Sequence, residues 1–163
     1  MKKILILCLA STLLLSSCHT LGYAHFIESS DYLDFIDLLI QADLSPEYVA
    51  TEELSDDSFL EAARRHYKIG SGRICIYSFA TSEDMQRNVG FVSPSGSSIS
   101  RQSRGRSYFV AEISWVCTPH WFSSGTIIVQ YTGQNREILD FLHSVFGAPF
   151  AGGGDWCSGY CEG

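Results

Sequence analysis

The densest set of reactive side chains is the stretch "CTPHW", where Cys117, His120 and Trp121 place a thiol, an imidazole and an aromatic ring within five residues. A Cys–His pair can serve as nucleophile and base when the imidazole lowers the thiol's pKa. No orienting third group or oxyanion donor stands at a readable spacing, so His120 is read first as a structural histidine, bonding backbone groups in the connection between two strands. Cys75, Cys117, Cys157 and Cys161 are disulfide candidates, since four cysteines in an oxidising compartment favour bridges in one of three connectivities. Cys117, His120, Cys157 and Cys161 could together furnish a tetrahedral zinc set. The Cys-x-x-x-Cys spacing is looser than the usual two-residue knuckle, and thiols outside the cytoplasm are more often oxidised than metallated. No metal and no cofactor is therefore expected. Arg101, Arg104 and Arg106 in "SISRQSRGRS" could gather a phosphate or carboxylate through their forks; a solvated loop offsetting the acidic body is the preferred reading.

The elements that must position these groups follow from periodicity. Leu33, Ile36, Leu39 and Ile40 recur at helical spacing behind Ser29, Ser30 and Asp31, which predicts an amphipathic helix ending near Ala42. "LSPEYVATEEL" reads as a turn and a short extended piece. From Asp56 onward two readings compete: a helix over Phe59 to Arg65, and a hairpin with His66–Ile69 and Arg73–Phe79 flanking Gly70-Ser71-Gly72. The hairpin is preferred. A short helix from Ser82 toward Asn88 closes at Gly90, and "SPSGSS" makes a turn-rich loop. "SYFVAEISWVC" alternates, with Phe109, Ala111, Ile113, Trp115 and Cys117 on one face. "GTIIVQYTG" is a second strand, reached through "TPHWFSS". The last helix, "NREILDFLHSVFG", turns Ile138, Phe141, Leu142 and Val145 inward and stops at Gly147. The sum is an α+β domain: an antiparallel sheet of about four strands, with two to three helices packed mainly on one face.

The N-terminus carries a different kind of chemistry. Lys2 and Lys3 precede an apolar run from Ile4 to Leu15, the layout of a secretory signal peptide. About a dozen apolar residues fall short of the ~20 that span a hydrocarbon core. Leu15-Ser16-Ser17-Cys18 resembles the bacterial lipobox, which implies that Cys18 is acylated and becomes the mature N-terminus. More than one acyl chain makes such an anchor stable. His19 replaces the aspartate that would retain a lipoprotein at the inner membrane, implying the periplasmic face of the outer membrane where a cell has one. The division expected is a cleaved signal peptide over 1–17, an acylated tether over 18–28, an α+β domain over 29–151 and a Cys/Gly-rich tail over 152–163.

Removing residues 1–17 takes away two of the 11 basic residues and none of the 18 acidic ones, so the formal charge moves from -7 to -9. An acidic body argues against nucleic acid as a partner. The partners expected are the membrane, through the N-terminal lipid, and an unidentified protein or envelope component.

A second resemblance covers about residues 74–153. "FVSPSGSSI", "ISWVCTPHWFSSGTIIVQYTG" and "REILDFLHSVFGAPFAGG" resemble a group of small bacterial lipoproteins or secreted proteins of uncharacterised function. The matching positions are Trp115, Pro119, His120, Trp121, Tyr131, Gly133, Gly147, Phe150, Ala151 and Gly152. Ser95 stands where the pattern's turn carries an aspartate, and "GGDWCSGYCEG" runs past its usual end. The resemblance implies a location and a fold, and no activity. The leading expectation is a non-catalytic, membrane-anchored envelope protein; the alternative is an envelope hydrolase or thiol enzyme built on Cys117 and His120.

Overall fold

Ser29 starts the first helix: its hydroxyl accepts from the Tyr32 amide at 3.2 Å, and α1 runs over Ser30–Gln41. This computed structural model describes residues 29–102, 108–112 and 119–153. After α1 come β1 (Glu47–Glu52), β2 (Arg64–Ile69), β3 (Gly72–Ser78), α2 (Ser82–Val89), β4 (Ser98–Gln102), β5 (Tyr108–Glu112), β6 (His120–Ser124), β7 (Ile127–Thr132), α3 (Arg136–Phe146) and β8 (Ala151–Gly152). Six strands form one antiparallel sheet in the order β1-β2-β3-β7-β6-β8, and β4 and β5 pair separately.

The α+β class stands, with more strands than the four expected and apolar cover on both faces of the sheet. On one face α1 and α3 bury Phe35, Leu39, Ile138 and Leu142 against Ile74, Ile76, Val129 and Phe122. On the other, Met85 of α2 and Ile99 of β4 join Leu60, Tyr77, Ile128 and Trp121. Alternation along each strand divides the side chains between the two layers.

Four expectations are corrected. The stretch from Phe59 to Arg65 is no helix; bends over 59–62 lead into β2, which begins at Arg64. "HWFSS" is not a connection but β6, hairpinned to β7 with Ser124 opposite Ile127. Its alternation was hidden because Trp121 and Phe122 are both buried, one on each face. The loop expected around Arg101 begins as β4, and Arg101 is buried, donating from Nη2 to the carbonyls of Asp56 (2.7 Å) and Ser58 (2.9 Å). Arg104 and Arg106 lie outside the described residues. In α1 the buried stripe is Tyr32, Phe35 and Leu39, whereas Leu33 is 50% and Ile40 60% exposed. The two rings present more apolar surface than the aliphatic side chains, and the Tyr32 hydroxyl meets that of Tyr67 at 2.6 Å.

Candidate functional site

Gly70 and Ser71 make a two-residue turn, Gly70 taking the positive φ of 53° that such turns require. The turn fixes the register. Ile69 opposes Gly72, so His66 opposes Cys75 and Arg64 opposes Tyr77. The neighbouring strands extend these rows: Glu52 pairs with Arg64, Ala50 with His66, Gln130 with Cys75, and Trp121 with Gln130. One sheet face therefore carries Glu52, Arg64, His66, Cys75 and Gln130 as neighbours.

Their polar atoms form a chain. Glu52 Oε1 lies 2.9 Å from His66 Nε2, and His66 Nδ1 lies 3.1 Å from Cys75 Sγ. Arg64 fixes the carboxylate, donating from Nε (2.9 Å) and Nη2 (2.7 Å) to Glu52 Oε2, and from Nη1 to the Tyr77 hydroxyl (2.9 Å). Burial pushes the Cys75 thiol up to about 11, more than the Arg64 charge pulls it down. Burial and then the Arg64 charge hold His66 below its ordinary value, although Glu52 opposes them. Near neutral pH the thiol is protonated and the imidazole neutral. Among the described residues the buried Nε2 lies close to the Glu52 carboxylate without making an aligned hydrogen bond; in the tautomer that carries its proton on Nε2, Nδ1 accepts from Cys75 S–H.

The row lies where the covered part of the face meets solvent. Cys75 is half-buried, Gln130 is 1% exposed, and Gln130 Nε2 has no hydrogen-bond partner among the described residues. One row nearer the hairpin turn, Lys68 opposes Arg73 on the same face. Both are exposed, and neither has an ion-pair or hydrogen-bond partner among the described residues. His66 uses its two nitrogens toward opposite neighbours, so the chain does not converge on a point where a cation would sit. Among the described residues no group of three or more His, Cys, Asp or Glu side chains could hold a metal.

Of the residues singled out from the sequence, Cys75 is in this row, as a free thiol. Cys18, Cys117, Cys157 and Cys161 lie outside the described residues, so neither the Cys117–His120 pair nor the zinc set is placed. His120 occupies the opposite face from Cys75, opposite Tyr131 in register and with ring centroids 6.2 Å apart. Its Nδ1 is buried and makes no hydrogen bond among the described residues. Burial, and secondarily His143, holds its pKa down. Trp121 is wholly buried, stacked on Tyr77 at 6.1 Å and donating from Nε1 to the Gly96 carbonyl at 3.2 Å.

Three pieces of the lipoprotein-like pattern meet here. Gly152 N–H donates to the Pro94 carbonyl (2.9 Å), Phe150 N–H to that of Trp121 (2.8 Å), and Gly153 N–H to that of Pro119 (3.3 Å). The Ser-Pro-x-Gly turn, the Pro-His-Trp strand and the Phe-Ala-Gly end thus hold one corner of the fold. Sequence reasoning missed Glu52, Arg64, His66 and Gln130 as neighbours of Cys75. The signal was present: counting outward from Gly70-Ser71 puts His66 opposite Cys75.

No protein-family model, no curated protein and no solved structure matches this chain.

Proposed function

We propose that this is a lipid-anchored bacterial envelope protein whose α+β domain binds a protein or envelope component near the membrane. The observation that carries the reading is Leu15-Ser16-Ser17-Cys18 at the end of a basic-then-apolar N-terminus. Further support comes from the apolar surface just past the tether. α1 leaves Leu33, Leu38 and Ile40 exposed, and the edge strand β1 leaves Tyr48 and Val49 exposed. Exposed large apolar side chains offer contact surface to a partner. The pattern shared with small lipoproteins of uncharacterised function supports the same class. In a detergent phase-partition experiment on whole cells, the wild-type chain should follow the detergent and Cys18→Ala the aqueous phase; equal partitioning of the two would defeat the anchor.

A second reading, an envelope thiol enzyme, is favoured by one observation: Glu52, His66 and Cys75 form a carboxylate–imidazole–thiol chain. It supplies the class once attached to Cys117 and His120 with a different thiol and a different base.

A further inference from the structure

We propose that Cys75 is a nucleophilic thiol that takes the acyl group of a small anionic ester, with His66 as its base, Glu52 as the residue positioning that base, and Lys68 and Arg73 selecting the negative charge. The inference rests on the second reading above and adds the substrate class and the role of each side chain.

Three independent features converge. The first is the chain itself, in which a neutral imidazole can accept the S–H proton while the carboxylate steadies the positive charge that then forms. A thiol held protonated by burial reacts through such a base, not as a standing thiolate. The second is Gln130, opposite Cys75 in register, whose buried Nε2 has no partner among the described residues. An unsatisfied buried donor is costly, and a carbonyl oxygen that becomes negative beside Cys75 would satisfy it. The third is the pair Lys68 and Arg73, exposed one row away on an otherwise acidic protein and without an ion pair among the described residues, although Glu47 stands opposite Lys68 in register. Two free cations beside a nucleophile favour a substrate bearing a carboxylate or phosphate.

The step balances. Cys75 Sγ attacks the ester carbonyl carbon as its proton passes to His66 Nδ1, and the carbonyl electron pair moves to the oxygen, where Gln130 Nε2 donates. Collapse breaks the carbon–oxygen ester bond, and the departing alkoxide takes the proton from His66. Thiol and ester become thioester and alcohol, with no change of oxidation state.

The test uses the full-length mature chain in detergent micelles and two probes, neutral para-nitrophenyl acetate and the anionic mono-para-nitrophenyl succinate. Adducts are located by peptide mass mapping, and circular dichroism checks the fold of each variant. The wild type should be acylated at Cys75, faster by the anionic probe. His66→Gln should slow acylation about 100-fold, and Lys68→Gln with Arg73→Gln should reduce the anionic preference about tenfold. Absence of any adduct on Cys75 would overturn the thiol reading itself. Acylation of Cys75 with the same probe preference in the Lys68/Arg73 variant would leave that reading standing and overturn the anionic-substrate inference.

The pH profile tests His66 without a variant. Glu47, Glu52, Arg64, Lys68, Arg73, Cys75 and Tyr77 are the titratable groups on its face in β1, β2 and β3. The rate should rise as His66 loses its proton, at a midpoint below 6.5, and then stay level. Glu52→Gln should move that midpoint lower still, because the carboxylate charge favours the imidazolium. A rate that climbs steadily through pH 9 would mean thiolate chemistry and overturn the role of His66.

Discussion

Replacing Arg101 with leucine would leave the Asp56 and Ser58 carbonyls without the charged donor that now ties the segment before β2 to β4. Hydrogen bonds to charged groups contribute about 1.5–3 kcal/mol, and water can reach part of this site, so Arg101→Leu should destabilise the domain by about 2 kcal/mol. An unchanged thermal midpoint would show that these bonds add nothing. His66 and His120 set the behaviour in acid. Both have folded-state pKa values held below 6.5, first by burial, so the unfolded chain binds their protons more readily. Their contribution is whole above pH 6.5 and is lost as pH falls through the lowered folded values. Denaturant midpoints should therefore begin to drop just below pH 6.5, before the carboxylates titrate, and His120→Gln should flatten part of that decline. A decline of the same steepness in His120→Gln would remove His120 from the account.

At the scale of elements, the β2–β3 hairpin was legible from the two runs flanking Gly70-Ser71-Gly72, whereas its register was not, because the turn takes only Gly70 and Ser71 and Gly72 pairs with Ile69 as part of β3. α3 was legible from its apolar stripe and its stop: Gly147 closes it with a φ of 80°, while Asn135 at the other end accepts from the Glu137 amide at 2.9 Å. β6 was not legible, since a strand buried on both faces shows no alternation of apolar and polar residues. The helix stripe in α1 was misplaced because aliphatic spacing was counted and the rings at Tyr32 and Phe35 were not. The thiol row needed two strand pairings at once, β1 on β2 and β7 on β3, and neither is encoded by a local turn. β8 offers a test at this scale. A side chain at Gly152 would collide with the Pro119 carbonyl, and φ there is already 78°. Gly152→Ala should detach β8 and increase amide exchange at Phe150, Gly152 and Gly153, leaving α1 protected. Unaltered exchange at those three amides would contradict the corner described for Pro94, Trp121 and Gly152.

For the whole molecule, the proposed anchor at Cys18 would leave a tether over 18–28 of at most ~35 Å at ~3.5 Å per residue, which would keep an acidic domain close to the surface that holds its lipid. Cleavage before Cys18, as proposed, would leave a body of net charge -9 that anionic headgroups repel, so in that reading the lipid and not the protein surface supplies the attachment. In the same proposal the exposed apolar residues of α1 would stand where a membrane-bound partner is within reach. All of this depends on one covalent event at Cys18. The direct measurement is intact mass and fragmentation of the N-terminal peptide from the membrane-extracted protein. The account predicts a mature chain that begins at Cys18 and carries a diacylglyceryl thioether on its sulfur. A mature chain beginning elsewhere, or beginning at Cys18 with an unmodified thiol, would contradict it.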